Sequence, residues 1–371
     1  MDKVSILHID IENGWGGGQK QTLCLLKGLR SAGIKSVLIC RPDSPLHRQC
    51  LDEKVPVETL RAKGELDIFA ARKISRLFQK ESFDIIHAHS AHAHSIALLA
   101  RLFLKQKPPV VVTRQVAFPI GTGWLNRKKY LARGIRYIAV SAAVRDELLR
   151  AGVAESDVRV IPIGIDPREI QSMELHKKPA IRTELGISPD NFLIGAVGTL
   201  VECKGHKFLL RALPAIVRRI SGAKCIIVGD GPLMKPLRNL AAKLGLTDEV
   251  IFTGFRPDTL AVTDAVDLFV LPSLSEGFSY AALEAMALRK PVIASCVGGL
   301  KNLIRNGENG LLVPPAQPEQ IAGAVINLYD NRAYAERLAC QAAQDALTVF
   351  TVDNMAKNTI QYYEEFIREN K

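Results

Sequence analysis

The chain has 371 residues, few aromatics (6 %) and no apolar run long enough to span a bilayer. Its most apolar stretch, Ile96 to Leu104, is broken by Arg101, whereas a spanning helix needs about 20 apolar residues in a row. The seven cysteines are odd in number, scattered, and form no Cys-x-x-Cys pair. That argues against a disulfide framework or a cysteine zinc site, and for reduced thiols in a cytoplasm. The opening apolar stretch, Val4 to Ile11, holds His8 and Asp10 and is too short for a secretory signal. A cytoplasmic protein is expected, associated at most with the inner face of a membrane. No Asp-x-Asp occurs, and no Gly-Lys-Ser or Gly-Lys-Thr follows the glycine loop, so a P-loop is excluded.

Acidic residues are scarce in one half only. Residues 1–182 carry 30 Lys and Arg against 18 Asp and Glu, a net +12, while residues 183–371 carry 19 against 20, a net −1. A basic half beside a neutral one implies an acidic partner for the first: phosphorylated lipid, anionic membrane or nucleic acid. The densest basic run, Arg127 to Tyr137, contains Arg127, Lys128, Lys129, Arg133 and Arg136, with Trp124, Leu125, Tyr130, Leu131 and Ile135 interleaved. That composition suits an interfacial segment as well as it suits a solvated helix face.

A hydrophobic content of 47 % and 27 glycines fit an α/β protein, and the length fits two domains. Short apolar runs alternate with helical stretches throughout. Val4 to Ile9 reads as a strand, Asn13 to Gln19 as a glycine loop, and Lys20 to Ser31 as a helix. The loop is a phosphate cradle in principle, because glycines let backbone amides approach an anion, but a plain flexible turn reads equally well. Phe83 to His87 is a further strand, followed by His89, His92 and His94 at alternating positions. His87 and His89, two apart in a strand, share a face and could touch one ion, yet no cysteine or carboxylate cluster accompanies them, so no metal is expected. Pro167 to Pro189 is polar and reads as an irregular connection between domains.

Asp267 to Leu271 is a continuous apolar run closed by Pro272, as a strand buried on both faces reads. A polar turn with Glu276 and Gly277 follows, then a run of helix formers from Tyr280 to Arg289. Glu276 falls where a strand's carboxyl end meets a helix, the place where open α/β sheets bind ligands. Glu284 lies eight residues on; were all of these helical, the two carboxylates would stand about 12 Å apart along the axis and turned by about 80°. A lone Glu on an Ala-rich helix is ordinarily a surface residue. Inside Ala-Leu-Glu-Ala-Met-Ala, however, it is costly to bury without a partner. The helix start near Gly277, Phe278 and Ser279 offers free amides with partial positive charge.

Glu276 and Glu284, within Ser-Glu-Gly-Phe-Ser-Tyr-Ala-Ala-Leu-Glu-Ala-Met-Ala, resemble the paired-glutamate signature of retaining glycosyltransferases of the GT-B fold, and the match is to glycosyltransferase family 4. The resemblance implies an α/β protein with two Rossmann-like domains facing each other across a cleft and a C-terminal helix crossing back to the first. It implies an acceptor domain over 1–165, a linker over 166–189, a nucleotide-sugar domain over 190–354 and a returning helix over 355–371. Gly16 and Gly17 resemble the family's amino-terminal glycine motif, which approaches the donor diphosphate. Asp-Ile-Ile-His-Ala-His resembles the strand end whose second histidine, here His89, lies beside the donor sugar. Lys204 matches the family's diphosphate clamp, but Thr199 stands where a basic residue is usual, with Arg114 or Arg256 as conceivable substitutes. Catalytic roles would fall to His89, Lys204 and Glu276. Donor binding would fall to these together with Gly16, Gly17, Thr199, Arg256, Gly277, Phe278, Ser279 and Glu284.

The implied reaction moves a sugar from a nucleotide diphosphate to an acceptor hydroxyl with retention, without cofactor or divalent metal, in lipopolysaccharide or other cell-surface glycan synthesis. The implied partners are a nucleotide sugar and a glycan or lipid-linked acceptor. Two rival readings are a nucleotide-sugar epimerase of similar architecture and, for the charge alone, a basic nucleic-acid-binding protein.

Overall fold

The computed structural model describes residues 4–121, 123–172 and 177–370. The chain divides into two compact units, residues 1–164 with 351–371, and residues 165–350.

The first unit is built on seven parallel strands: β1 (Ser5–Asp10), β2 (Lys35–Cys40), β3 (Val57–Thr59), β4 (Ile85–Ala88), β5 (Val110–Arg114), β6 (Ile135–Ala139) and β7 (Val158–Val160). Their order is β3-β2-β1-β4-β5-β6-β7. The chain winds outward from β1 to β3, then returns to β4 on the other side of β1. The carboxyl ends of β1 and β4 are therefore a topological switch point. Strand β3, three residues beside Pro56 at the sheet edge, is too short to show in the sequence pattern. Helix Gly17–Ser31 follows β1 and buries Leu23 and Leu26 against Leu38, Leu46 and Val55. The last helix, Val352–Asn370, packs on it. A Cβ at Gly28 would lie 2.8 Å from Ala356 Cβ, so only glycine lets the two helices close this far. Tyr362 of the last helix donates its hydroxyl to Asp157 O, and Tyr363 meets the ring of His87.

The second unit has six parallel strands: β8 (Leu193–Val197), β9 (Lys224–Val228), β10 (Val250–Gly254), β11 (Leu268–Leu271), β12 (Val292–Ser295) and β13 (Leu311–Val313). Their order is β10-β9-β8-β11-β12-β13, which puts a second switch point between β8 and β11. All four residues of β11 are buried, as the apolar run predicts. Leu209, Leu213 and Ile216 of helix His206–Arg219 pack on one face of the sheet with Val270 and Ile293.

The stretch expected to be an irregular connection is not one. It carries helices Pro167–Gln171 and Lys177–Glu184, both within the second unit. Ile181 and Ile187 are buried against Val262 and Ala265, and Arg182 reaches Asp267 at 2.6 Å. The many charges in this segment hide two apolar anchors that are enough to fold it onto the sheet. Residues 173–176 lie outside the described residues.

Candidate active site

In the second unit three strand-to-helix loops meet around the switch point. The loop after β11, residues 272–279, is held from both sides by glycines. After β8, Gly205 sits at φ +65°, and a Cβ there would lie 2.0 Å from Pro272 O. Beside it the Leu274 amide donates to Cys203 O at 2.7 Å. After β12, Gly298 sits at φ +48°, and a Cβ there would lie 1.8 Å from Glu276 O. The Gly299 amide donates to that same carbonyl at 3.0 Å. That amide is thus engaged in fixing Glu276.

The Glu276 side chain is 6 % exposed. A carboxylate so buried needs compensation, and the sequence reading had not connected it with its partner. Lys204 Nζ lies 2.6 Å from Glu276 Oε1, and Ser273 donates its hydroxyl to the same oxygen at 3.0 Å. Oε2 has no protein partner among the described residues. The lysine stem runs past Gly198, whose missing side chain leaves it room. Gly229, directly after β9, packs its α-carbon against Gly198 O, where a Cβ would come within 2.1 Å.

Ser279 is the N-cap of helix Tyr280–Ala287, its hydroxyl accepting from the Ala282 amide at 3.2 Å. The helix is buried nearly all round, and Glu284 on it is 5 % exposed. Because the helix begins only at Tyr280, Glu276 belongs to the loop, and the 12 Å helical spacing does not apply. Phe278 lies beside Phe350, ring centroids 5.8 Å apart. Thr199 is exposed just past β8.

Arg256 is no free cation. Its guanidinium bonds Asp258 at 2.6 Å and Glu184 at 2.5 Å, and these two carboxylates hold its pKa above the usual value. The proposed substitute for the basic residue missing at Thr199 is therefore neutralised by its own neighbours. The other, Arg114, bonds Tyr130 Oη and Phe118 O.

In the first unit the predicted residues gather at the other switch point. Gly16 is the N-cap of the helix that Gly17 begins, after β1. Gly16 is in extended backbone, so this position does not need glycine for its conformation. His89 follows β4, and its amide donates to Ile9 O at 3.0 Å. Its ring Nε2 lies 2.9 Å from His8 Nδ1. The His87 ring stands 4.1 Å from it by centroids, held between Tyr363 Oη and Thr113 Oγ1. Ring nitrogens of His8, His87 and His89 lie within 4.8 Å of one another, a spacing that admits an ion. Both nitrogens of His87 already have partners, and so does the facing pair of His8 and His89. Burial pushes all three imidazoles toward the neutral form, His89 to about 3. Beside them Asp10 accepts from Thr22 Oγ1 at 3.1 Å, and burial raises its pKa to about 6. His92 meets Glu12 at 2.8 Å. His94 is fully buried edge-on to Tyr130 and Tyr137, with no partner for either nitrogen among the described residues.

His8, Asp10 and Ser273 were not predicted as site residues. The signal for the first two was present, polar residues in an otherwise apolar strand directly before the glycine loop.

The basic run is only partly a surface. Helix Trp124–Tyr130 exposes Arg127 and Lys128, and Arg133 follows exposed. Lys129 turns inward to Ala91 O at 2.7 Å and to Glu65. Arg136 falls inside β6, 8 % exposed, bonded to the Glu369 carboxylate and stacked 4.6 Å from the Phe366 ring centroid. A strand beginning at Ile135 carries Arg136 into the unit, where the last helix covers it.

Two parallel sheets, each with a switch point lined by the predicted residues, define a protein of the Rossmann-like, nucleotide-binding class. Comparison with known proteins narrows this. The family models described as "Glycosyltransferase Family 4" and "Glycosyl transferases group 1" match residues 15–169 and 177–345. An uncharacterized glycosyltransferase of Methanocaldococcus jannaschii is 30 % identical over 296 residues, 76 % of each chain. The UDP-Gal:alpha-D-GlcNAc-diphosphoundecaprenol alpha-1,3-galactosyltransferase of Escherichia coli is 26 % identical over 349 residues, 89 % of each. Among solved structures, Anabaena HepE in complex with UDP-glucose superposes with a TM-score of 0.84 at 24 % identity, covering 97 % of this chain and 99 % of that one. The chain belongs to glycosyltransferase family 4, with the GT-B fold, and is a nucleotide-sugar-dependent glycosyltransferase. The epimerase reading finds no support in these matches.

Proposed function

We propose that the protein is a retaining glycosyltransferase that uses a UDP-type sugar, needs no divalent metal, and acts on an anionic or lipid-linked acceptor in cell-surface glycan synthesis. The observation that carries the reading is the buried Glu276 beside the switch point, held through Oε1 by Lys204 and Ser273, with Oε2 unbonded among the described residues. Oε2 accepts from a hydroxyl of the donor sugar. Glu284 accepts from the ribose. The Lys204 ammonium has further N–H donors and directs one at the leaving diphosphate, whose charge grows in the transition state. The bond from the anomeric carbon to the diphosphate breaks while a bond to the acceptor oxygen forms on the same face. The acceptor's proton passes to the departing phosphate oxygen.

The relatives support the finer points. The Escherichia coli relative is named for a UDP donor and an α-linked product, the outcome retention gives from an α-linked sugar nucleotide. Its acceptor carries a diphosphate, and relatives in Nocardia and Rhodococcus are named for inositol 3-phosphate. Phosphorylated acceptors suit the first unit, whose residues 1–164 and 351–371 carry 29 Lys and Arg against 19 Asp and Glu, a net +10.

The test is a panel of nucleotide sugars screened by protection against thermal unfolding. The best donor is then offered to phosphorylated acceptors in the presence of a chelator, and the product anomer is read by proton NMR. The expected result is an α-product formed at full rate with chelator. Inversion, or activity lost with chelator and restored by metal, would overturn the reading and return attention to the histidine cluster.

A further inference from the structure

The first unit carries a basic and apolar face that the sheet and the candidate site leave unused. Helix Ile68–Glu81 buries Ala70, Ala71, Ile74, Ser75 and Phe78. At i, i+3, i+4, i+7 and i+11 its other face presents Phe69, Arg72, Lys73, Arg76 and Lys80, all exposed. No acidic side chain lies within the helix until Glu81 ends it. At the start of this face Phe69 is 82 % exposed and Leu66, just before the helix, 80 %. The end of helix Ala91–Arg101 is fixed against the same region, since Ser75 Oγ donates to Ala100 O at 2.7 Å. It adds Leu102, 67 % exposed, and Phe103, whose ring lies 5.0 Å from the Arg72 guanidinium.

Large apolar side chains held in water beside four cations gain nothing from the fold itself. They gain when the apolar groups enter a headgroup–acyl boundary and the cations sit over anionic headgroups. The basic run at 127–136 is the weaker candidate, because Lys129 and Arg136 are drawn inward to Glu65 and Glu369, whereas Arg72, Lys73, Arg76 and Lys80 all stay exposed, Lys73 while bonding Thr59 O at 3.0 Å and Lys80 while 4.0 Å from Glu81. We propose that the face of helix Ile68–Glu81 docks the protein on an anionic lipid surface, with Leu66 and Phe69 inserted and Arg72, Lys73, Arg76 and Lys80 over the headgroups.

The test uses the full chain, sedimented with vesicles of phosphatidylcholine alone or mixed equally with phosphatidylglycerol. Nucleotide-sugar binding is followed in parallel, so that failure here is distinguishable from failure of the enzymatic reading. The protein should bind only the mixed vesicles, and binding should fall steeply with salt, because the attraction is screened within a Debye length. Leu66→Ser with Phe69→Ser, and separately Arg72→Gln with Arg76→Gln, should each reduce vesicle partitioning about tenfold or more. Both should leave thermal unfolding and donor binding unchanged. Arg127→Gln with Lys128→Gln should bind vesicles like the parent. No binding to mixed vesicles, or equal binding to both compositions, refutes the proposal. So does loss through Arg127→Gln with Lys128→Gln alone, or tighter binding to single-stranded DNA than to vesicles.

Discussion

Acid should open the first unit before the second. His8, His87, His89 and His94 are buried in the first unit and kept neutral by desolvation, the last two with pKa values of about 3. Their values are depressed in the folded chain, so below the unfolded value of 6.5 the unfolded state takes up protons that the folded state refuses. The stability they contribute is present above that value and is lost as pH falls. For each group the loss approaches about 1.4 kcal/mol per pH unit, or about 2 kcal/mol between neutrality and pH 5. Four such groups lose on the order of 8 kcal/mol. Asp10 works the other way. Its folded value, about 6, lies above the unfolded 3.8, so its favourable contribution is present at low pH and lost on rising through 6; on the descent to pH 5 it returns about 1 kcal/mol. The net loss, several kcal/mol, is comparable with the whole stability of a typical domain. Among the described residues the second unit has one such group, His206, lowered to about 4, and should lose about 2 kcal/mol. Hydrogen exchange read by mass spectrometry from pH 7.5 to 4.5 should therefore show peptides from residues 4–160 losing protection first. His94→Leu sharpens the test, because both ring nitrogens lack partners. It should stabilise the first unit by about 1 kcal/mol at neutrality and by about 2 kcal/mol more at pH 5. Simultaneous opening of both units, or a destabilised His94→Leu, would refute the reasoning.

The remaining predictions concern the Glu276 loop. Lys204→Met, Glu276→Gln and their combination should show a coupling of about 1–3 kcal/mol in urea unfolding, the scale of one charge-assisted hydrogen bond. Additivity within about 0.5 kcal/mol would mean that the ion pair is not energetically coupled. Glu276→Gln should impair turnover of the sugar nucleotide while sparing affinity for free UDP, and Glu284→Gln should weaken both ligands; calorimetric titrations showing the same pattern for the two variants would sink the division of roles. Gly298→Ala adds a side chain at φ +48° and 1.8 Å from Glu276 O. It should cost about 2 kcal/mol or more and depress turnover with it, and an active variant of parental stability would show that the loop can yield.

What was legible in the sequence was local. The strand–loop–helix unit around Glu276 stood out because its apolar run, its turn and its helix formers are contiguous, and each needs only its own periodicity to be recognised. Helix caps are local in the same sense: Ser141, directly before helix Ala142–Arg150, accepts from the Val144 amide at 3.3 Å. The basic run failed because counting charges says nothing about direction. A strand start one residue before Arg136 decides that it is covered, and that boundary lies among the features sequence patterns fix least well. The face of helix Ile68–Glu81 follows a 3.6-residue period, but charge density alone favours the run at 127–136, where the cations stand closer together in the chain.

The pairing of Lys204 with Glu276 had no local signal at all. The two residues are 72 positions apart, and neither neighbourhood names the other. They meet because β8 and β11 are adjacent although two strands separate them in the chain. The same adjacency brings Gly205 onto Pro272 O, and β12 on the other side of β11 brings Gly298 onto Glu276 O. The two glycines remove the side chains that would hold these loops apart, and the buried carboxylate then needs the lysine that this approach delivers. Topology thus determines which lysine serves the glutamate. That is why the paired glutamates and Lys204 could each be recognised from the chain, while the ion pair that joins Lys204 to Glu276 required the sheet order.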